Sequence, residues 1–217
     1  MKVVSFIPIK LNNVRLPGKN LMLLNNRPLC DYLFQTINSI DLIDEKYVFC
    51  SDNKITEYMP DSMIFLERDS RLNGDEVKGI EIYDSFIDKV DADIYILTHV
   101  TGPFLKTSSI ETAINKILYE GYDSAFTVKE INEFCWYDGA PVNYSLSDVV
   151  LTQNLKPVYV ETSGFYMFTR NVLEKYRRRI GENPYMHIVD AFEAIDIDTA
   201  EDFAVAEVTA RYLYGEE

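Results

Sequence analysis

Short, nearly uninterrupted apolar runs alternate along this chain with segments of helical spacing, and this alternation constrains the fold more than any other feature. Apolar character on successive residues is typical of strands covered on both faces, because such strands have no solvent side. The runs that predict strands are VVSFIPI (3–9), YVFCS (47–51), MIFLE (63–67), DIYILT (93–98) and DSAFTV (123–128).

The segments between these runs carry apolar residues at helical spacing: PLCDYLFQTINSI (28–40), GIEIYDSFIDKV (79–90) and SSIETAINKILYEG (108–121). Pro28 fits the first turn of a helix, and Gly121 fits the position that ends one. Strands that alternate with helices predict an α/β fold with a mostly parallel sheet and right-handed crossovers.

The pattern changes after Lys129. Residues 130–157 contain turn signals and the aromatic residues Phe134, Trp136 and Tyr137, without clean periodicity. Strand character returns in PVYVETSGFYMFTR (157–170), and AIDIDTAEDFAVAEVTARYLY predicts a strand followed by an amphipathic helix. We therefore predict one domain over residues 1–217, with 130–157 as an inserted arm.

Composition narrows the class of protein. With 47% hydrophobic residues the chain can bury a full core, and no stretch approaches the roughly 20 apolar residues of a membrane span. The N-terminal apolar run is too short for a secretory signal, and three scattered cysteines indicate neither a disulfide framework nor a zinc site. A formal charge of −14 argues against nucleic acid and anionic membranes as partners, and we expect a cytoplasmic location.

The acidic average hides a cationic start. The first acidic residue is Asp31, whereas the preceding residues carry five cations: Lys2, Lys10, Arg15, Lys19 and Arg27. Ligands of open α/β sheets bind beyond the carboxyl ends of the strands, where the loop 10–20 must lie. Positive φ angles at Asn12, Asn13 and Gly18 would turn backbone N–H groups towards an anion. A small anionic ligand and a loop of ordinary solvated cations both remain open at this point.

A pair of aspartates near the end of the chain allows two interpretations. Asp196 and Asp198 lie two residues apart on a predicted strand, so both carboxylates would face one side and could share a divalent cation. Alternatively, Asp198 or Thr199 caps the last helix, with Glu201 or Asp202 completing a capping box. Both roles are compatible, and Asp198 is the expected cap.

IPIKLNNVRLPGKN (7–20) resembles the signature IPARxGSxRxPGKN of the acylneuraminate (CMP-sugar) cytidylyltransferases, whereas GxxxxGK[ST] and GxGxxG are missing. Further matches follow in the family's order: RPL, CSD (50–52), Arg68 with Asp75, THVTGPF (98–104) for QPTSPL, VETSGFYMF (160–168) for ENGAFYIF, and DIDTAED (196–202) for DIDTPED. The resemblance covers nearly the whole chain. It implies a Rossmann-like nucleotidyltransferase fold, CTP and Mg²⁺ as ligands, and an arm that joins two subunits into a homodimer.

The resemblance also implies roles for individual residues. Those expected to act in catalysis are Lys19, Arg15 and Lys10, and the expected metal ligands are Asp196 and Asp198. The expected nucleotide contacts are Ile9, Lys10, Leu11, Asn13, Lys19, Asn20, Arg68, Asp75, His99 and Thr101. The expected contacts to the acceptor are His99, Thr162, Phe165 and Tyr166.

Four signature positions differ from the family pattern: Lys10 replaces arginine, Asn13 serine, His99 glutamine and Thr162 asparagine. The changes at His99 and Thr162 put the acceptor in doubt, and to a lesser extent the preference for cytosine, but they leave the polyphosphate site and the aspartate pair in place. We expect transfer of CMP from CTP to an acidic sugar or similar anionic acceptor, with release of pyrophosphate. The alternatives are another nucleotide or acceptor on the same fold, and a catalytically silent binding protein.

Overall fold

The computed structural model describes residues 1–215. Its strands are β1 (Val3–Ile9), β2 (Leu23–Leu24), β3 (Arg27–Pro28), β4 (Glu45–Cys50), β5 (Ile64–Glu67), β6 (Ile94–Thr98), β7 (Ser124–Ile131), β8 (Trp136–Tyr137), β9 (Ala140–Pro141), β10 (Val158–Thr169) and β11 (Pro184–Ile188). Its α-helices are α1 (Leu29–Asn38), α2 (Gly79–Ile87), α3 (Thr107–Glu120), α4 (Arg170–Tyr176) and α5 (Ala200–Tyr214). Within residues 1–215, no helix combines the length and apolar character needed to cross a membrane.

Seven strands form one twisted sheet in the order β11-β7-β10-β6-β1-β4-β5. Strands β6, β1, β4 and β5 are parallel neighbours, as are β7 and β11, while β10 is antiparallel to both β6 and β7. The predicted α/β class with a mostly parallel sheet is confirmed. The carboxyl ends of β1, β4 and β6 consequently lie at one edge of the sheet.

Both faces of the sheet are covered, which explains the uninterrupted apolar runs. Alternate residues of β1 enter different cores: Val3 and Ile7 pack with α1 and α3, whereas Val4 and Phe6 pack with α2 and α4. Phe6 stacks on Phe86 of α2 with ring centroids 4.3 Å apart. These two layers fix β1, and with it the loop that follows Ile9.

The sequence predicted the central elements closely but erred at three places. Pro28 precedes α1 rather than occupying its first turn, while Gly121 ends α3 in the left-handed conformation as expected. The edge strand β11 was not predicted. Residues 195–198 form no strand, because their backbone runs outside the sheet and bonds the loop after β6, with Ile197 N–H donating to Thr101 O (2.8 Å).

The arm extends from the long antiparallel pair β7 and β10. A tight turn at Asp138 and Gly139, both with positive φ, joins the two-residue strands β8 and β9. Phe134 packs edge-on against Tyr144, with ring centroids 4.8 Å apart. Large apolar side chains on the arm are nevertheless exposed: Phe134, Trp136, Tyr137, Val142, Leu146, Val149 and Leu151.

The turn between α4 and β11 is held by one carboxylate. Asp123 Oδ2 accepts the backbone N–H groups of Glu182 (2.7 Å) and Asn183 (3.1 Å), and Ser124 Oγ accepts that of Gly181 (2.8 Å). A Cβ atom on the buried Gly181 would overlap the Asp123 carboxyl group. The backbone can approach the carboxylate closely only because residue 181 has no side chain.

We predict that Gly181→Ala lowers the free energy of unfolding by about 2 kcal/mol, since overpacking must displace this carboxylate. Gly74→Ala is the matched control, because its Cβ would meet neighbours at ordinary distances of 3.6 Å. Urea unfolding of both variants measures the effect. Equal stability of Gly181→Ala and wild type would contradict the assigned anchor.

Candidate active site

The loop after β1 folds back on itself. Gly18 adopts a φ of 70° and starts a 3-10 turn over Lys19–Leu21. Asn20 Nδ2 donates to Lys10 O (2.8 Å) and thereby closes the loop. The prediction of positive φ is correct for Gly18 and wrong for Asn12 and Asn13, since the non-glycine residues with positive φ within 1–215 lie elsewhere.

Lys19 joins this loop to the segment before α5. Its side chain is buried, and Nζ donates to Ile197 O (2.5 Å) and to Asp198 Oδ1 (3.2 Å). Arg15 Nη1 donates to the other oxygen, Asp198 Oδ2, at 2.7 Å. Two cations of the loop therefore share one carboxylate.

Asp196 faces the same cavity as Asp198, although the strand predicted for them does not form. The buried side chain of Ile197 lies between the two aspartates in sequence and points into the core formed with α5. Asp196 Oδ2 accepts a hydrogen bond from Ser163 Oγ at 2.7 Å. Its Oδ1 is buried and has no partner within the described residues.

The cap of α5 is Thr199 and not Asp198, which corrects the sequence-based expectation. Thr199 Oγ1 accepts from Asp202 N–H, and Asp202 Oδ2 accepts from the backbone N–H of Asp198 and Thr199. This capping box provides hydrogen-bond partners for backbone N–H groups at the start of α5 without using the carboxylate of Asp198. The Asp198 side chain is consequently directed to the loop cations.

A cavity of about 380 Å³ brings most of the predicted residues together at the carboxyl ends of β1 and β6. Its lining comprises Pro8, Lys10, Asn13, Arg15, Lys19, Asn20, His99, Val100, Thr101, Ser163, Tyr166, Arg179, Asp196 and Asp198. Asn13 Oδ1 is buried there without a partner among the described residues.

A second cavity of about 300 Å³ shares Lys10 and His99 with the first. Arg68 and Asp75 line it, together with the apolar residues Leu72, Val77 and Ile82. Lys10 Nζ pairs with Asp75 Oδ1 at 2.9 Å. Arg68 is buried, which lowers its pKa, and its Nε has no partner within residues 1–215.

Four predicted residues lie outside these two cavities. Ile9 and Phe165 have fully buried side chains in the hydrophobic core. Thr162 Oγ1 donates to Thr127 Oγ1 at 2.7 Å, and Leu11 lines a separate cavity of about 570 Å³. The roles predicted for these four residues remain predictions. At Ile9 and Phe165 any ligand contact would have to come from backbone groups, because the side chains are buried in the core.

His99 lies between the two cavities as a neutral imidazole. Burial lowers its pKa below the ordinary 6.5. Nδ1 lies 3.3 Å from Ser163 O, and a carbonyl oxygen only accepts, so Nδ1 carries the proton. Nε2 is then free to accept a hydrogen bond from a ligand, as an amide oxygen would.

Sequence reasoning missed two polar side chains that line the main cavity, Ser163 and Arg179, besides the apolar residues Pro8 and Val100. Ser163 lies within the recognised VETSGFYMF segment, so its signal was present. Arg179 belongs to a run of three arginines, RRR (177–179), which carries no motif. Its place in the cavity follows only from the turn that Asp123 anchors.

The donor set fits a divalent cation that also binds phosphate. Mg²⁺ is usually held by one or two carboxylates together with substrate phosphates rather than by a protein cage. Asp196 and Asp198 provide two carboxylates, and Asp196 Oδ1 is unpartnered. No group of three or more histidine, cysteine or acidic ligands occurs in the part of the chain described.

Known proteins resemble this chain over its whole length. A 3-deoxy-manno-octulosonate cytidylyltransferase of Hydrogenovibrio crunogenus is 24% identical over 99% of this chain and 87% of its own length. An N-acylneuraminate cytidylyltransferase of Streptococcus agalactiae is 20% identical over 94% of this chain, which spans about half (52%) of that relative.

Solved structures share the fold. A CMP:2-keto-3-deoxy-manno-octonic acid synthetase complexed with CTP matches 98% of this chain and 100% of its own, with a TM-score of 0.72 and 19% identity. A 4-diphosphocytidyl-2C-methyl-D-erythritol synthase from Anaerococcus prevotii covers 97% of this chain and 96% of its own, with a TM-score of 0.70 and 13% identity. Both support the Rossmann-like nucleotidyltransferase fold that the motifs implied.

A family model described as cytidylyltransferase matches residues 4–214. This match spans the loop after β1, both aspartates and all of α5. The prediction from the sequence motifs is confirmed, and the chain belongs to the cytidylyltransferase family.

Proposed function

We propose that this protein transfers CMP from CTP to the hydroxyl group of an acidic sugar and releases pyrophosphate. The observation that carries the proposal is a single cavity in which the cations of the first loop face Asp196 and Asp198. Relatives named as cytidylyltransferases for 3-deoxy-manno-octulosonate and N-acylneuraminate support the acceptor class. They also argue against a catalytically silent binding protein.

The loop cations bind the triphosphate in this proposal. Lys10, Arg15 and Lys19 line the main cavity, and each is paired with a carboxylate. The acceptor oxygen forms a bond to the α-phosphorus, and the bond from that phosphorus to the bridging oxygen of pyrophosphate breaks. Fixed cations stabilise the charge that develops on the departing pyrophosphate, and this is the main contribution a protein makes to phosphoryl transfer.

The nucleoside occupies the second cavity. Its mixture of the Arg68 guanidinium with Leu72, Val77 and Ile82 suits a flat polar ring, and it adjoins the triphosphate site through Lys10. The buried Nε–H of Arg68 then finds an acceptor on the base or ribose. His99 lies at the junction of both cavities, close to the α-phosphate and the acceptor.

Asp196 and Asp198 would hold a divalent metal, and we propose Mg²⁺. When bound there, such an ion would supply positive charge to neutralise the phosphates and polarise the α-phosphate. Ser163 orients Asp196 by donating to Oδ2, which leaves Oδ1 available. Arg15 is held near the same site through Asp198.

The reaction is tested by pyrophosphate release from each nucleoside triphosphate with a panel of acidic sugars. We expect CTP with Mg²⁺ to support release, and CTP to raise the melting temperature, since saturation at 100 times Kd adds about 2.7 kcal/mol of stability. Lys19→Met should remove both effects. Lys116→Met should keep them, because Lys116 is a half-buried lysine on α3 that lies outside the described cavities and pairs with Glu120. No response to any triphosphate would contradict the proposal, and a preference for another nucleotide would support the alternative.

The metal role of the aspartates predicts a specific pattern. Asp196→Asn and Asp198→Asn should each lower turnover about 100-fold or more, with weaker apparent Mg²⁺ affinity and partial rescue by excess Mg²⁺. Thr199→Ala is the control: it should lose about 1 kcal/mol of stability through the cap and keep its turnover. Magnesium titrations and melting curves measure both properties. Normal turnover of both asparagine variants at every Mg²⁺ concentration would exclude the metal site.

We further propose that the arm joins two copies of the chain. Its exposed aromatic and aliphatic side chains form an apolar surface that a solvated loop would not retain. Such surfaces mark interfaces, and a two-fold dimer is the commonest arrangement of identical chains. The extended β7–β10 pair supports the arm rigidly enough to present this surface.

Light scattering tests the dimer. We expect twice the mass of one chain for wild type, and a shift towards the single-chain mass for the double variant Trp136→Ser with Tyr137→Ser. Tyr119→Ser, an equally exposed aromatic on α3, should leave the mass unchanged. A single-chain mass for wild type, with and without CTP, would contradict this proposal.

A further inference from the structure

Arg179 is the one cation lining the main cavity that pairs with no aspartate in the described structure. Lys10 pairs with Asp75, while Arg15 and Lys19 pair with Asp198. Arg179 lies in the turn between α4 and β11, far in sequence from the loop after β1. Within the described residues its ion pair is with Glu161, which does not line the main cavity.

The guanidinium of Arg179 is rigidly placed. Its Cζ lies 3.5 Å from the ring centroid of Tyr166, a stacked arrangement that fixes the plane of the group. Tyr166 itself is buried, and its hydroxyl donates to Glu161 Oε2 at 2.8 Å. The turn carrying Arg179 is anchored on Asp123 at its other end, so both the backbone and the side chain are preorganised.

Most hydrogen-bonding capacity of this guanidinium is unused. Its bonds within residues 1–215 run from Nη1 to Tyr83 Oη (3.3 Å) and from Nη2 to Glu161 Oε2 (3.4 Å), both near the outer limit for a hydrogen bond. A guanidinium has five N–H donors in a fork that matches a carboxylate. The pair with Glu161 is half-exposed, so it provides weak compensation.

We infer that Arg179 binds the carboxylate of the acceptor and so selects acidic sugars. This inference rests on the proposed function and adds the recognising group within the same chain. Asp196, Ser163 and His99 line the same cavity, and the charge of Arg179 also contributes to the lowered pKa of His99, so the group lies near the reacting end. An acceptor held there presents its hydroxyl to the α-phosphate with its carboxylate on Arg179.

A purely structural role makes a different prediction. If Arg179 only held the Tyr166 ring in place, its loss would impair acidic and neutral acceptors equally. Carboxylate recognition instead predicts that the loss affects only acceptors that carry the charge. The two roles are distinguished by a thermodynamic cycle in which the Arg179 side chain and the substrate carboxylate are changed separately and together.

The test measures pyrophosphate release with 3-deoxy-manno-octulosonate and N-acetylneuraminate, each as the acid and as its uncharged carboxamide. For the acid that reacts, we expect Arg179→Gln to raise the KM for the acceptor about 10- to 100-fold, because charge-assisted hydrogen bonds are lost. The KM for CTP should stay within about twofold of the wild-type value. The preference of wild type for acid over carboxamide should disappear in this variant. Arg179→Lys should recover only part of the preference, because lysine keeps the charge and loses the fork.

Arg178→Gln is the matched control, since this neighbouring arginine contacts Gly181 O and Glu182 outside the cavity. It should behave as wild type. An unchanged acid-to-carboxamide preference in Arg179→Gln overturns the inference while leaving the proposed function intact. Absence of turnover by wild type with both acids contradicts the proposed function itself, and the inference falls with it.

Discussion

The contact on which the site depends is the burial of Lys19 against the end of the chain. A buried ammonium group is stable only when its hydrogen bonds and charge are satisfied. Here the carbonyl of Ile197 and the carboxylate of Asp198 satisfy it, across separations of 178 and 179 residues. The loop after the first strand and the segment before the last helix are consequently held together. Without that contact, Arg15 and the aspartates would not face one cavity.

How much the sequence predicted depends on whether local chemistry or tertiary contact decides each feature. The apolar run of β1 and the glycine stop of α3 are local, and both were placed correctly. The segment holding Asp196 and Asp198 has the alternation of a strand, yet it bonds Thr101 instead of joining the sheet. Its two carboxylates still lie on one side, because side chains alternate along an extended backbone whether or not the segment belongs to a sheet. The position of Arg179 depends on a turn that is fixed by Asp123, which lies 56 residues earlier in the chain. No local sequence pattern records a contact between such distant residues.

The departures from the family pattern have unequal consequences in the structure. Thr162 bonds Thr127 on the neighbouring strand, so its change from asparagine acts on the sheet and not directly on a ligand. Asn13 and His99 line the main cavity and offer the acceptor atoms Oδ1 and Nε2, which have no hydrogen-bond partner within residues 1–215. Acceptor selectivity that is particular to this protein should therefore be sought at residues 13 and 99 and at Arg179.

The carboxylates of the site explain how an acidic chain accommodates a polyanion. With a net charge of −14, the protein repels CTP at long range. The three loop cations share two carboxylates, since Lys10 pairs with Asp75 while Arg15 and Lys19 both pair with Asp198. In the proposed reaction, an incoming triphosphate would replace these carboxylates as the partner of the loop cations, and each replacement would leave an unpaired negative charge beside the phosphates. That charge is destabilising unless a cation compensates it. Asp198 is both the partner that Arg15 would give up and a proposed metal ligand, so phosphate binding and metal binding favour one another. This coupling gives a physical reason for a carboxylate to lie beside the phosphate-binding cations.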